Sequence, residues 1–379
     1  MARRPPALTR LRAHATFRGG MVEANRSSPK HIAVIPGDGI GKEVIPEAVK
    51  ALKAAASAGV RELVLTEFDW GADRFLRDGT TLPPDAVEMF RREYDAILLG
   101  ALGDPRVPSN QQGADILIGL RFKLDLYVNA RPCVLFDERL TPLRGRTERD
   151  INIWVIRENT EGLYAGVGGF FKKGTADEIA TQEDINTRKG VERIIRYAFD
   201  LARHQGRKRA CMSDKSNALA YGHDLWQRVF KEVRAEYPEI ESSHMYIDNL
   251  LMQMVRDPAQ FDVIVTCNSF GDIASDVGAG LIGGLGLAPS GNIHPGRVSL
   301  FEPVHGSAPD LAGKNIANPM GAVLAAAMMC EHIGWSKEAR AMETAVRAAI
   351  RENQTTQDLG GSLGTRQAGD WLANKVASI

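Results

Sequence analysis

Cysteine is scarce. Four thiols in 379 residues, at Cys133, Cys211, Cys267 and Cys330, are too few and too widely spaced for a disulfide framework, and no C-x-x-C or similar metal-ligand spacing occurs. They read as reduced core thiols, the cysteine usage of a cytoplasmic protein. An excess of charge of either sign is also missing. Lys plus Arg number 47 and Asp plus Glu number 47, with a pI near 7.1. This removes the overall basic surplus on which nucleic-acid binding rests, and there is no acidic tail. No apolar run reaches transmembrane length. The best candidate, around Val277 to Ala288, is short and Gly-rich, so no membrane span is expected. Several catalytic signatures are absent too. Gly37-x-Gly39-x-Gly41-Lys42 has Glu43 where a P-loop needs Ser or Thr, and it does not fit G-x-G-x-x-G. Gly284-x-Gly286 fails the same fingerprint, with Pro289 in the last glycine position. There is no G-x-S-x-G and no H-E-x-x-H, which leaves serine-hydrolase and zincin chemistry without support.

The hydrophobic content of 44% suffices for a large core and for two domains. Residues 1–30 stand apart, with Arg3, Arg4, Arg10, Arg12 and Arg18 before the first acid, Glu23. We expect a disordered N-terminal extension there, the other readings being an organelle transit segment or a true start at Met21. Folded structure is expected from about His31. His31–Ile35 reads as a strand, followed by a Gly-rich loop and a helical pattern through Val44, Ile45, Ala48, Val49 and Leu52. Asp95–Leu99, Ile151–Ile156 and Asp262–Cys267 read as buried strands. Arg188–Arg203 and His223–Tyr237 read as amphipathic helices. Alternating strands and helices indicate an α/β protein with a largely parallel sheet.

Four groups of residues carry candidate chemistry. In Asn268–Asp276 a strand ends, a Gly turn follows and a helix begins. Asp272 and Asp276 then share one face, where a divalent cation would relieve their repulsion, unless Asp272 only caps the helix. Asp248 is a further acid at a helix start. Arg121 closes the helical run Asp115–Leu120, Arg131 follows the strand-like Leu126–Asn129, and Arg157 ends a strand. Arginines at element ends either clamp a di- or tricarboxylate or form surface ion pairs. Tyr164 and Lys215 are the candidate acid–base groups, the alternative for Lys215 being a snorkelling surface side chain. Finally, Glu302–Pro319 is a long polar loop between apolar segments, with Asn318-Pro319 reading as the start of a helix.

Taken together, Pro36–Gly41, Arg121 to Arg131-Pro132, Arg157–Gly162 with Tyr164, Asp214–Asn217, Asp248, Gly271–Asp276 and Glu302–Pro319 resemble one family in order and over most of the chain. This is the family of metal-dependent β-decarboxylating dehydrogenases, which includes the isocitrate, 3-isopropylmalate, homoisocitrate and tartrate/D-malate enzymes. The resemblance implies an isopropylmalate-dehydrogenase-like two-domain α/β fold with a mixed sheet and no conventional Rossmann site. A discontinuous large cofactor-binding domain would comprise residues 31–126 and 283–379, and a small domain residues 127–282. It implies that Arg121, Arg131 and Arg157 bind substrate carboxylates, and that Asp248, Asp272 and Asp276 hold Mg²⁺ or Mn²⁺. Lys215 would take the hydroxyl proton and Tyr164 would protonate the enolate carbon. Asn217, Glu302, His305, Gly306, Ser307, Ala308, Asp310 and Asn318 would hold NAD. Lys215 and Asp248 would act in the other subunit's site, implying a homodimer. Asp310 resembles the acid that accepts the adenosine ribose hydroxyls in NAD users, and a carboxylate there would repel a 2′-phosphate.

For the substrate, isocitrate enzymes resemble one another in a Ser and an Asn six and four residues before the first arginine. Here those positions are Asp115 and Leu117, poor company for a third carboxylate. Leu117 and Ile118 instead present an apolar wall suited to an isopropyl group. The expectation is oxidative decarboxylation of 3-isopropylmalate, with tartrate or D-malate next. Isocitrate, homoisocitrate and a non-catalytic regulatory subunit come after these.

Overall fold

The computed structural model describes residues 28–379, so the expected N-terminal extension lies almost wholly outside the described residues. Twelve strands occur among them. These are β1 (Lys30–Ile35), β2 (Leu63–Glu67), β3 (Ala96–Leu99), β4 (Val128–Val134), β5 (Asn152–Glu158), β6 (Gly168–Phe171), β7 (Ile179–Gln182), β8 (Arg209–Asp214), β9 (Glu241–Tyr246), β10 (Val263–Thr266), β11 (Pro289–Ile293) and β12 (Ser299–Pro303). Ten form one sheet in the order β2-β1-β3-β12-β11-β4-β5-β10-β8-β9, and β6 and β7 make a separate hairpin.

The flanks of the sheet are parallel, as the βα alternation predicts, but its centre is not. The steps β12–β11, β11–β4 and β4–β5 are antiparallel. The sheet is therefore mixed, and the antiparallel seam joins a half built from the chain's two ends to a half built from its middle. Burial follows position. β1, β3 and β10 are apolar runs with helices on both faces, and β3 and β10 are buried throughout. The outermost strands β2 and β9 instead alternate between more and less exposed residues. One face of β1 and β3 packs Ala33, Ile35, Ile97 and Leu99 against Trp70 and Phe90. The opposite face belongs to a core that runs through both halves of the sheet.

Helices occupy the expected places, with small shifts at their ends. Gly41–Ala58 buries Val44, Ile45, Ala48, Ala51, Leu52 and Ala55, an i, i+3/i+4 stripe. Arg188–His204 and Gly222–Arg234 are the two amphipathic helices expected from periodicity. Met320–His332 is apolar all round and nearly all buried, as a central helix should be. It begins one residue later than expected. Pro319 occupies the cap position, while the Asn318 side chain still accepts a hydrogen bond from the Met320 N–H at 2.9 Å. All four cysteines are free and buried, and burial pushes the Cys133 thiol up to about 12 and Cys211 to about 11. Among the described residues no helix is long and apolar enough to cross a membrane.

Candidate active site

Four neighbouring strands carry polar side chains on one face. Glu302 on β12 lies opposite Ser290 on β11, Asn292 on β11 lies opposite Asn129 on β4, and Asn129 lies opposite Arg157 on β5. Directly opposed residues share a face, as do residues two apart on a strand. The stripe therefore also includes Arg131. Every member is less than a tenth exposed. Arg131 sits inside β4 rather than beyond it, which corrects the expected strand end at Asn129. The proline after it is accommodated where β4 has run past its partner, because pairing with β11 ends at Ala130.

Helix Asn268–Leu281 roofs this stripe. A Cβ on Gly271 would lie 2.5 Å from the Cβ of Arg157, and one on Gly278 would lie 2.3 Å from the Cys133 sulfur. Two glycines, two turns apart on one helix face, thus let the helix rest directly on β4 and β5. Gly271 is a packing residue and not the turn read from the sequence. The helix starts at Asn268, so Asp272 lies within it and does not cap it. Asp272 instead meets the arginines. Arg157 Nη1 donates to its Oδ1 at 2.5 Å and Arg131 Nη1 to the same oxygen at 3.0 Å. The Tyr164 hydroxyl donates to Oδ2 at 3.2 Å, with the Arg157 guanidinium 5.4 Å from the centre of the tyrosine ring. Arg131 also donates to Ser275 Oγ at 2.8 Å, and Arg157 Nε to Asn268 Oδ1 at 2.9 Å. Asp276, one turn on and exposed, comes within 3.9 Å of Arg131.

Burial pulls the pKa of the Arg157 guanidinium down to about 9, helped by Arg131 and Arg121, and it remains a cation at neutral pH. Burial alone would raise the Asp272 carboxyl, but the charges of Arg157 and Arg131 outweigh it and hold the group low. Arg121, on the helix Gly119–Lys123, donates to Glu302 Oε1 at 3.1 Å. The Nε atoms of Arg121 and Arg131 are buried without a hydrogen-bond partner. Buried donors are ordinarily paired, so two unpaired guanidinium donors beside two carboxylates suit an anionic ligand. The turn before Arg121, Ala114–Ile118, is a π-helix, the kind of bulge found at functional sites. Within it Ile116 is buried, Leu117 is half-buried, Ile118 is exposed, and Asp115 accepts a hydrogen bond from Thr81 Oγ1 at 2.8 Å.

The loop after β12 is held from below by the first Gly-rich loop. Ile40 N donates to Ser307 O at 2.8 Å, and Glu43 accepts from Gly313 N and Asn315 N at 2.6 and 3.0 Å. A Cβ on Gly39 would lie 2.0 Å from Ser307 O. Asn318 Nδ2 donates to Asp358 at 2.9 Å. Gly306 is exposed, Ser307 buried, and Ala308 has φ +39. His305 is half-buried with its Nε2 unpaired, and burial lowers its pKa. The Asp310 carboxylate is exposed and has no hydrogen bond or ion pair among the described residues.

Lys215, Asn217 and Asp248 lie elsewhere. Lys215 follows β8 and its Nζ donates to Asp248 Oδ1 at 2.5 Å. Its N–H is fixed by His223 Nδ1 at 2.7 Å. Neither Lys215 nor Asp248 bonds to the arginine cluster. Asn217 is exposed two residues on, after a strand that lies five places across the sheet from β12 and runs opposite to it. Asp272 and Asp276 thus converge, and among the described residues no three His, Cys, Asp or Glu do.

A model of the isocitrate/isopropylmalate dehydrogenase family matches residues 31–372. The chain belongs to this family. The family is generally metal- and NAD-dependent, which makes the protein an oxidoreductase of small hydroxy acids. The 3-isopropylmalate dehydrogenase of Thermobifida fusca is 48% identical over 91% of this chain and 97% of its own. That of Corynebacterium kroppenstedtii is 46% identical over 92% and 99%. Among solved structures, isocitrate dehydrogenase from Methylococcus capsulatus superposes with a TM-score of 0.83 at 40% identity, covering 92% of this chain and 99% of that one. In this family member, sequence reasoning missed the buried amides Asn129 and Asn292, whose one signal is polarity inside apolar strands, and the role of the Asn159 amide just past the end of β5. It also missed Glu43, which carries no local signal at all.

Proposed function

We propose that the protein uses NAD and a divalent metal to oxidise and decarboxylate a 3-substituted malate, most specifically 3-isopropylmalate. The observation that carries this reading is the meeting of Arg121, Arg131 and Arg157 with Asp272 and Asp276. Three cations there face three carboxylates, Glu302 included. A dicarboxylate alone would unbalance the site by two charges, and a divalent cation restores the balance. Two carboxylates one turn apart are hard oxygen donors that suit Mg²⁺ or Mn²⁺. A metal held by Asp272 and Asp276 would supply Lewis acidity toward the substrate oxygens, and a nicotinamide cofactor held by the loop after β12 would supply the hydride acceptor. The chain's own residues do the rest. The arginines hold the carboxylates through donors that include the unpaired Nε atoms. Lys215 takes the hydroxyl proton, and Tyr164 delivers a proton to the carbon that loses CO₂. The loop from Glu302 to Asn318 grips the cofactor, with the free Asp310 carboxylate on the ribose hydroxyls, which favours NAD over NADP.

Lys215, Asn217 and Asp248 serve the site of a second subunit in this reading. Support comes from exposed apolar side chains: Tyr221, four residues after Asn217, is 94% exposed, Met252 and Val255 on the helix that carries Asp248 are about half exposed, and Phe170 and Phe171 on the β6–β7 hairpin are 61% exposed. In this reading the large domain (31–126 and 283–379) and the small domain (127–282) meet at the antiparallel seam between β11 and β4. For the substrate, the similarity to 3-isopropylmalate dehydrogenases agrees with the apolar Leu117 and Ile118. The 40% identity to an isocitrate dehydrogenase makes isocitrate the competing reading. Against it, Asp115 is already engaged by Thr81 and offers a third carboxylate only another negative charge. The test is initial-rate turnover of 3-isopropylmalate, D-malate, tartrate, isocitrate and homoisocitrate, each with NAD and NADP and with Mn²⁺. The reading expects 3-isopropylmalate with NAD to give the highest kcat/KM. A higher value for isocitrate would overturn the substrate assignment, and turnover of none would overturn the function.

A further inference from the structure

We infer that Asn292 is a positioning residue whose one buried amide sets the three substrate arginines against the cofactor side of the site; this rests on the function proposed above. Asn292 is fully buried on β11, at the antiparallel seam. Its Nδ2 donates to Glu302 Oε1 at 2.8 Å, the oxygen that also accepts Arg121. Its Oδ1 accepts from Asn129 Nδ2 at 3.1 Å and from Asn159 Nδ2 at 3.0 Å. Each of these partners leads to an arginine. Glu302 holds Arg121 directly. Asn129 lies two residues before Arg131 on the same strand face and directly opposite Arg157. Asn159 lies two residues after Arg157, with its amide also tied to Leu126 O at 2.9 Å. Asn129 is likewise anchored by Ser290 Oγ at 2.8 Å.

The chemistry requires an amide at this point. Two donors converge on one end of the Asn292 side chain and a carboxylate accepts from the other, so all three hydrogen bonds fix a single orientation. Turning the amide over would set its NH₂ against two other NH₂ groups and its oxygen against Glu302. A carboxylate would keep the bonds to Asn129 and Asn159 but repel Glu302. A hydroxyl is too short to span both sides. Asn292 touches neither substrate nor cofactor in this arrangement. It fixes the distance between the Arg121–Glu302 pair in one half of the sheet and the Arg131–Arg157 pair in the other, and hydride transfer depends on that distance.

The test is a double-mutant cycle with Asn292→Asp and Glu302→Gln, measured as kcat/KM for 3-isopropylmalate at saturating NAD and Mn²⁺. Asn292→Asp is nearly isosteric, and a misplacement of about 1 Å lowers kcat/KM roughly 100-fold. In the double variant the new Gln turns its NH₂ to the new Asp and ends the carboxylate repulsion, while Arg121 loses the shared acceptor oxygen, so kcat/KM recovers part of the Asn292→Asp loss. Because Glu302→Gln would also relieve purely structural damage, the melting temperature of each variant is measured alongside: a positioning role lowers kcat/KM in variants that melt with the wild type, and a merely structural role lowers the melting temperature alone. Asn292→Ser, which breaks the bonds without adding charge, guards against misfolding of the Asp variant and is expected to lose roughly tenfold. Wild-type kcat/KM in the folded Ser variant, or an Asp variant that Glu302→Gln does not relieve, overturns the inference while leaving the function standing. A wild-type enzyme inactive on every acid of the panel overturns both.

Discussion

Gly39→Ala should loosen the cofactor loop while leaving the substrate arginines alone. Gly39 has φ +51, and an added Cβ would sit 2.0 Å from the Ser307 carbonyl oxygen, so that oxygen or Gly39 must retreat by about 1.4 Å to reach an ordinary contact of 3.4 Å. The left-handed conformation costs an alanine about 1 kcal/mol. Stretching the 2.8 Å bond from Ile40 N to Ser307 O removes about 1 kcal/mol more. If the loop takes up the displacement, about 2 kcal/mol of cofactor affinity is lost, which is roughly a 30-fold rise in the KM for NAD. The assay is initial rate against NAD at saturating hydroxy acid and Mn²⁺, with the KM for the hydroxy acid as internal control. That control should stay within about threefold, because Arg121, Arg131 and Arg157 are held by the stripe and the Asn268–Leu281 helix. A folded variant with an unchanged KM for NAD would refute the reasoning, as would an equal rise in the KM for the acid.

Three further outcomes are expected. Asp310→Ser removes the carboxylate that opposes a 2′-phosphate, and the NADP-to-NAD ratio of kcat/KM should rise about tenfold, read from rates with each cofactor. Lys215→Ala and Arg157→Gln should each be inactive. Mixed and reassociated, they should regain roughly a quarter of wild-type activity, because half of the dimers then contain one intact shared site; no recovery on mixing would exclude sharing. Lys42 and Arg106 hold the Asp73 carboxyl at about 2, below its ordinary value. A depressed folded-state pKa adds stability that is present above the unfolded pKa near 4 and is lost as pH falls toward 2. Asp73 is solvent-exposed, so the contribution is below about 1 kcal/mol. The urea midpoint of Asp73→Asn should therefore lie slightly below wild type at pH 7, with the gap closing as pH falls below 4.

Much of the fold is legible because apolar patterns mark it. β1, β3, β5 and β10 and the two amphipathic helices fall within a few residues of where periodicity puts them. The misreadings share a cause. Gly271 looks like a turn because glycine usually marks one, yet here the missing side chain lets a helix rest on Arg157. Arg131-Pro132 looks like a strand end because proline cannot donate to a ladder, yet β4 continues past the end of its β11 partner. The antiparallel seam depends on which strands become neighbours, which no local pattern encodes. The grouping of Arg121, Arg131, Arg157 and Asp272 was implied by motif order. The tie between Glu43 and the loop near Gly313, 270 residues apart, and the buried Asn292 network required the structure itself.

The most direct measurement follows NADH and released CO₂ together, with the purified protein, NAD, Mn²⁺ and 3-isopropylmalate. The expected result is one CO₂ for each NADH, with both stopped by EDTA and restored by added Mn²⁺. NADH formation without CO₂, or turnover indifferent to EDTA, would contradict a metal-assisted oxidative decarboxylation at Asp272, Asp276 and the three arginines.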